Sequence, residues 1–336
     1  MLDRRGGIMQ FNKFIVREPV AISRWEARMA LRDRVKPAVW VGFLFIILMQ
    51  IPGNLILAFS GYTDYMLNPM EVIKDFSVVE NAPTAPIETL LLSLGGGMIF
   101  FMLVTGPFSL SQALFFLRYR RRQVAETGLI FYGFNYFGKA LATYLLIALF
   151  VLMWSMIIYI PGAGLGILLI ANSYSTGFPF PGANAGLVFG VLIIVLALIG
   201  AIVMMTIKLL QYQLAYFLLA DHPGMKPLEA IETSKYLMKG NRAKLFLLNL
   251  SFLGWYILAS CVGSFALMPF SFIISMGNMG SNFGAQTFYM IINALVSGVT
   301  MGFLSFYRGT ANAAFYEKVR GLAPGGMIPL ADQQGQ

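Results

Sequence analysis

Formal charges are absent from two long stretches of this chain, between Lys139 and Lys208 and between Lys244 and Arg308. Each stretch is long enough for two membrane crossings and a turn, because one helical crossing needs roughly 20 apolar residues. Across the whole chain the pattern predicts an all-α polytopic membrane protein with six transmembrane helices. We place them near residues 37–59, 89–115, 140–160, 187–208, 245–268 and 286–307.

The apolar run at 164–171 is too short for a crossing of its own. It is either the end of the third helix beyond a kink at Pro161 and Gly162, or a re-entrant piece before the 172–184 loop. Both alternatives remain open from the sequence.

The composition agrees with a chain that lies mostly in lipid. Hydrophobic residues make up 58% of it and charged residues only 12%, whereas about a quarter of the residues in soluble domains are charged. A large soluble domain does not fit this composition.

Basic residues indicate which side of the membrane each connecting segment occupies, since Lys and Arg concentrate in cytoplasmic loops. With six spans, 23 of the 24 basic residues fall on the same side as the N-terminus, and Lys74 is the exception. The sequence therefore predicts a bacterial plasma-membrane protein with both termini cytoplasmic and a retained first span. The net charge of +9 follows from this topology and favours anionic lipid headgroups, so nucleic acid is not needed to explain it.

These assignments divide the chain into three parts. A basic amphipathic cytoplasmic segment covers 1–36, the six-span membrane domain covers 37–320, and a flexible cytoplasmic tail covers 321–336. Within the membrane domain, 61–86 is an outer loop, and 118–139 and 209–244 are cytoplasmic.

The cytoplasmic segments have the pattern of helices lying on a membrane surface. Ser23 to Glu26 fits a capping box, and the arginines that follow share one face while Ile22, Trp25 and Met29 share another. A second such helix begins at Pro227 and stops at Gly240.

A third surface segment, rich in aromatic residues and interrupted by glycines, runs from Arg122 to Lys139. Each of the three precedes an outward and a returning span. Short internal matches, such as Glu126-Thr127 with Glu232-Thr233, favour three repeated units of a surface helix plus a transmembrane hairpin.

Basic side chains on these segments are the candidates for contact with lipid headgroups or a protein partner. They are Arg24, Arg28, Arg32, Arg118, Arg120, Arg121, Arg122, Lys235, Lys239, Arg242 and Lys244. Two turns, structural or functional, are predicted at Asp221, His222 and Pro223 and at Gly240 and Asn241.

None of the six predicted spans contains Asp or Glu. Lys208 stands at the inner end of the fourth span, where its ammonium reaches the headgroups. The uncharged polar residues either line a path or form hydrogen bonds between helices, and we favour the hydrogen bonds. They are Gln50, Asn54, Thr105, Gln112, Asn249 and Asn293. The pairs Gly186/Gly190 and Gly298/Gly302 have the spacing of close helix packing, for which we favour contacts within the chain over a dimer face.

Catalytic and metal-binding patterns are missing from the sequence. One His and one Cys cannot form a His-rich zinc site, and no phosphate-binding loop, GxSxG elbow or HExxH motif occurs. We therefore predict no catalytic residues, no metal and no cofactor. The single Cys261 cannot form an intramolecular disulfide.

Two stretches resemble a known family. The segment from Tyr216 to Trp255, YFLLADHPGMKPLEAIETSKYLMKGNRAKLFLLNLSFLGW, and the segment from Tyr307 to Tyr316 are similar to motifs of the bacterial membrane family called domain of unknown function 975. Arg28 to Lys36 resembles its amino-terminal entry. The resemblance implies a multi-pass fold without an assigned activity, distantly similar to the membrane portion of some glycerophosphodiester phosphodiesterases. The closing motif departs from the family in having Phe306-Tyr307 where Pro-Tyr is usual.

The leading functional hypothesis is a non-enzymatic membrane scaffold or accessory with a basic, lipid- or partner-contacting cytoplasmic face. One alternative is a permease or exporter component for an apolar peptide or lipid-like substrate. A second is an enzyme that processes lipid headgroups, which would need Asp221, His222, Glu232 and Lys239 to converge.

Overall fold

The structure is a computed structural model that describes residues 13–32, 35–59, 85–175, 184–276 and 283–322. The tail beyond 322, the first twelve residues and nearly all of the predicted outer loop at 61–86, including Lys74, lie outside the described residues.

All regular structure in the described ranges is helical, which confirms the all-α class. Five helices are long and apolar enough to cross a membrane, and a shorter apolar stretch, Ala38–Gly53, lies in the first long helix. In chain order the helices are α1 (Val20–Leu31), α2 (Val35–Phe59), α3 (Ala85–Arg120), α4 (Tyr132–Asn135), α5 (Phe137–Ser175), α6 (Asn184–Tyr212), α7 (Ala215–Asp221), α8 (Pro227–Met238), α9 (Arg242–Leu250), α10 (Leu253–Met276) and α11 (Phe283–Val319).

The run at 164–171 belongs to α5, which continues as one helix through Pro161. Of the two alternatives, the structure therefore has the helical extension, and the re-entrant piece is not formed. By contrast, the predicted fifth span is interrupted. It forms α9 and α10 with a turn at Ser251 and Phe252 between them.

The helix that precedes the first span starts earlier than predicted. α1 begins at Val20, so Ser23 lies inside the helix and is buried, and the predicted capping box is wrong. The carboxylate of Glu26 points away from the helix backbone and pairs with Arg120 and Lys318. Tertiary ion pairs have replaced the local cap.

The other two surface segments differ from each other. α8 begins at Pro227 and ends just before Gly240, as predicted, and Gly240 adopts a φ of 91°, which favours glycine. The segment from Arg122 to Lys139 is instead broken into a 3₁₀ turn (Thr127–Phe131), the short α4 and the start of α5.

Helix α11 is the central element, since it packs against α1, α2, α3 and α10, while α5 and α6 form a closely packed hairpin. Most of the apolar side chains on α5 and α6 face outward. The main hydrophobic core lies where α3, α7, α8, α9 and the last turns of α11 meet. This end of the molecule, which also carries most of the described charges, is called the charged end below.

Candidate functional site: the charged cluster and the amide cavity

Ionic side chains from the ends of several helices meet at the charged end. They come from the segment before α1, from α1 itself, from the last turn of α3 and its following residue, from the end of α7, and from the end of α11. We call this group the charged cluster, and its members are Glu18, Glu26, Arg120, Arg121, Asp221, Glu317, Lys318 and Arg320.

Arg121 is at the centre of the charged cluster. Its two terminal nitrogens donate to the two carboxylate oxygens of Asp221 at 2.7 and 2.9 Å, and its Nε donates to Glu317 at 3.2 Å. The side chain of Glu317 is only 2% exposed and that of Asp221 only 10%. Bidentate pairing of this kind fixes geometry as well as charge, so it joins α3, α7 and α11 rigidly.

Arg120 extends the charged cluster towards the N-terminal segment. It donates to Glu26 at 2.9 Å, and its Nε lies 3.4 Å from Glu317. On the other side of Glu26, Lys318 lies 2.9 Å away and also contacts Glu18 at 2.7 Å. These contacts connect α1 to α3 and α11.

A tyrosine and the chain's single histidine complete the group. The Tyr316 hydroxyl donates to Asp221 at 2.9 Å and accepts from Arg320 at 2.9 Å, and its ring stacks on Phe217 with 5.5 Å between centroids. Nε2 of His222 lies 3.1 Å from Arg320 Nη1. The two segments that carry the family resemblance therefore meet here, one through Asp221 and Phe217 and the other through Tyr316.

Two pKa shifts follow from this packing. Burial lowers the pKa of His222, and the Arg320 and Arg121 charges lower it further, against the opposing effect of Asp221. Burial would also lower the pKa of Arg121, but the hydrogen bonds and charges of Asp221 and Glu317 raise it overall. Arg121 is thus held as a cation, while the proton affinity of His222 is reduced.

The charged cluster balances its own charge, because it contains four carboxylates and four cations. Arg120 and Arg121, which the sequence assigns to lipid or partner contact, are instead directed into it. Their cationic groups are already compensated and only 10% and 18% of the side chains are exposed.

Next to the charged cluster, Asn241 holds the segment that leads into α1. Its Oδ1 accepts from the backbone of Val16 at 2.9 Å, and its Nδ2 donates to the carbonyls of Phe14 at 2.9 Å and Leu237 at 3.0 Å. Phe14 also donates to the carbonyl of Val319 at 2.9 Å. The buried Asn241 therefore joins the N-terminal segment to α8.

The remaining basic candidates form two surface groups. Arg28 and Arg32 are exposed on α1, next to Trp25, which is 57% exposed. On α8 and just beyond it, Lys235, Lys239 and the half-buried Arg242 line an open cleft of about 630 Å³, together with Glu232 and Tyr236. Of the others, Arg122 is exposed, and Arg24, Arg118 and Lys244 are half-buried.

The predicted turn at Asp221 to Pro223 is present, with the amide of Met225 donating to the carbonyl of His222 at 3.0 Å. Asp221 and His222 belong to the charged cluster, whereas Glu232 and Lys239 line the open cleft on α8. The four residues of the enzyme alternative are therefore divided between two places.

Lys208 makes a contact that was not predicted. Its ammonium lies 3.6 Å from the centre of the Trp154 ring on α5. This cation–π contact stabilises the charged form of Lys208.

Polar residues of the spans meet around a second feature, a cavity of about 380 Å³ between α2, α3, α11 and the turn from α6 to α7. Gln50, Gln112 and Gln213 line it, so we call it the amide cavity. The Nδ2 of Asn249 donates to Gln213 Oε1 at 3.4 Å, and its Oδ1 accepts from Asn312 Nδ2 at 3.5 Å. Asn249 thus forms the interhelical hydrogen bonds that the sequence favours, while Gln50 and Gln112 face a cavity.

Two other polar candidates form hydrogen bonds within their own helix and not the predicted bonds between helices. Asn293 accepts from Ser297 at 3.1 Å, and Thr105 donates to the carbonyl of Phe101 at 2.5 Å. The side chain of Asn54 lies outside the described part of the structure.

Sequence reasoning missed Glu18, Glu317, Lys318 and Arg320 as members of a site, and it assigned Glu26 to a helix cap and Asp221 to a turn. A usable signal was present, because Glu317 directly follows the closing motif. Within the described residues, no group of three or more His, Cys, Asp or Glu is placed to hold a metal ion.

These features define an all-α protein with several candidate membrane-spanning helices and an internally balanced ionic cluster at one end. The family described as Protein of unknown function (DUF975) matches residues 23–323, and the chain belongs to that family. No curated protein and no solved structure matches the chain. The distant similarity to phosphodiesterase membrane portions stays a prediction.

Proposed function

We propose that the chain is a plasma-membrane protein with six spans, in which α2 provides the sixth crossing and the charged end faces the cytoplasm. The distribution of 23 of 24 basic residues supports this orientation. The order of elements supports three units. α1 and the 3₁₀–α4 segment each precede a pair of long helices, and α8 precedes the long helices α10 and α11 with the short α9 between them.

Within this arrangement, the protein acts as a non-enzymatic scaffold or accessory that contacts anionic lipid headgroups and holds a membrane-protein partner. One observation carries the proposal. The charged cluster uses its own cations internally, while separate basic side chains remain exposed beside Trp25 and Tyr236. Aromatic and basic residues together are typical of the headgroup level of a membrane.

The compensation of the carboxylates supports the non-enzymatic part. Glu26 and Glu317 border a cleft of about 480 Å³ beneath the N-terminal segment, but both are paired with Arg120. Because both carboxylates are occupied by ion pairs, neither is free to take part in proton transfer to a substrate. Turnover of a lipid substrate that depends on either residue would overturn this part.

The lipid contact is tested with the purified protein in nanodiscs of phosphatidylcholine containing increasing phosphatidylglycerol. We expect the anionic lipid to raise the unfolding temperature, because each well-placed basic residue gains about 1 kcal/mol near an anionic surface. The double substitution Lys235→Gln/Lys239→Gln should remove a large part of that gain. Lys226→Gln, at the opposite end of α8, is the matched control and should keep it. Equal unfolding temperatures in both lipids would contradict the proposal.

A permease or exporter component is the second candidate, and one cleft favours it. Between α10 and α11 lies a space of about 450 Å³ with no charged lining residue and many hydroxyl groups, among them Ser260, Ser264, Tyr289, Ser297 and Thr300. Such a surface suits passage of an uncharged polar group through lipid. Flux of a lipid-like or peptide substrate in proteoliposomes, lost on Ser264→Leu, would favour this candidate over the scaffold.

A further inference from the structure

The amide cavity has a composition that is unusual for the interior of a membrane protein. Along α2 it extends from Gly42 to Gln50, which corresponds to about 12 Å at 1.5 Å per residue. Its lining combines apolar side chains, among them Phe45, Met49 and Phe306, with the neutral amides.

Charge in the amide cavity is of one sign. Arg308 lines it and is exposed, which places its guanidinium towards the open side, and none of the lining residues is Asp or Glu. The guanidinium carbon lies 5.1 Å from the centre of the Tyr256 ring, a contact that leaves the planar donor groups available. A guanidinium in this setting matches the oxygens of a phosphate.

Two neutral amides supply hydrogen-bonding groups to the amide cavity. Gln50 and Gln112 both line it and are half-buried. Each amide has an acceptor oxygen and two donor hydrogens, so these side chains can accept from a ligand hydroxyl and donate to a ligand oxygen.

These groups specify a ligand. The amide oxygens accept hydrogen bonds, and without a lining carboxylate a hydroxyl suits this site better than an ammonium group. The apolar lining side chains suit the start of an acyl chain. A volume of about 380 Å³ lies within the range of small-ligand pockets, about 300–1,000 Å³.

We propose that the amide cavity binds the headgroup of an anionic phospholipid that carries hydroxyl groups, such as a phosphoglycerol headgroup. Arg308 pairs with the phosphodiester, and the amides of Gln50 and Gln112 bind the headgroup hydroxyls. The proposal rests on the membrane placement given above, but it uses a site separate from the exposed basic side chains of α8.

The test uses native mass spectrometry of the full-length protein in detergent. Three probes are titrated: dioleoyl phosphatidylglycerol, dioleoyl phosphatidylethanolamine and glycerol 3-phosphate. We expect the first to bind at least tenfold more tightly than the other two. Arg308→Gln should weaken its binding about tenfold or more, and Gln112→Leu should weaken it severalfold, with unfolding temperatures measured in parallel to show that both variants fold.

Lys235→Gln/Lys239→Gln is the matched control, because it changes the surface cations and leaves the amide cavity intact. Loss of phosphatidylglycerol binding in this control but not in Arg308→Gln would overturn the cavity site while supporting surface lipid contact. Equal binding of glycerol 3-phosphate would overturn the lipid as the source of the phosphate. Equal binding of phosphatidylethanolamine would overturn the role of the headgroup hydroxyls.

Discussion

A few buried polar side chains determine how the charged end is held together. Glu317 receives ionic contacts from two arginines, Asp221 receives both terminal nitrogens of Arg121, and Asn241 satisfies backbone groups of a distant segment. In each case one residue joins elements far apart in the sequence. Substitutions here should therefore affect folding more than substitutions of exposed charges.

Glu317→Gln tests the contribution of the buried carboxylate. Removing its charge leaves Arg120 and Arg121 incompletely compensated, and breaking a buried pair in this way costs about 3–5 kcal/mol. We expect a clear fall in unfolding temperature in detergent. Glu18→Gln is the control, because Glu18 is 54% exposed and its pair with Lys318 is worth about 0–1 kcal/mol. Similar effects of the two substitutions would contradict the special role of Glu317.

His222 makes stability depend on pH. Because its pKa is lowered in the folded state, the unfolded chain binds a proton below its ordinary pKa of about 6.5 while the folded chain does not. The free energy of unfolding should therefore fall as the pH decreases from about 6.5 to the pKa of His222 in the folded state. Below that pKa, His222 should cause no further change. The unfolding temperature measured from pH 8 to 5 should fall more steeply in the wild type than in His222→Gln. Parallel curves would show that His222 does not contribute.

At the scale of elements, close helix contacts order the bundle. A Cβ at Gly42 of α2 would overlap the carbonyl oxygen of Gly302 in α11, and Gly298 packs on the ring of Phe43. Gly186 and Gly190 are likewise covered by α5. The small-residue spacings seen in the sequence are thus occupied by contacts within this chain.

Gly42→Ala should separate α2 from α11, because the added methyl meets backbone atoms that cannot rotate away. Overpacking of this kind costs about 1–3 kcal/mol. The matched control is Gly164→Ala in α5, where a Cβ would meet nothing within 4 Å. It should be neutral or slightly stabilising, since alanine favours helix by up to about 1 kcal/mol. Both unfolding temperatures can be measured in the same detergent. A lower unfolding temperature for Gly164→Ala alone would refute the close contact between α2 and α11.

At the scale of the whole molecule, the usual distribution of apolar side chains is reversed. In the most apolar windows of α5 and α6 only 11% of the residues are buried within the protein. An apolar surface of this extent needs lipid around it, whereas the buried core lies at the charged end. The molecule thus combines a lipid-facing helix bundle with the compact charged end.

The orientation of the charged end in the membrane is tested by labelling single cysteines at positions 74 and 239 in a Cys261→Ala background. A membrane-impermeant maleimide applied to intact cells should react at position 74 and fail at position 239. Position 239 should react once the cells are permeabilised, because Lys239 is exposed in the folded protein. Labelling at 239 but not at 74 in intact cells would reverse the topology.

Pairing between residues far apart in the sequence explains which features could not be predicted from the sequence. The start of α8 at Pro227 and its stop before Gly240 were predictable, because both depend on backbone preferences of neighbouring residues. The cap of α1 was not, since Glu26 pairs with residues 94 and 292 positions away instead of with its own backbone. Likewise, nothing in the local sequence distinguishes Arg120 and Arg121, which are paired in the cluster, from the neighbouring exposed Arg122.

The sequence by itself determined the membrane class and the helical content, because hydrophobic length acts locally along the chain. Only the tertiary structure decided which cations are neutralised and which stay exposed. It also decided that Gln50, Gln112 and Asn312 face one cavity. The physical reason is that ion pairs and cavities depend on where helices from distant parts of the chain end and cross.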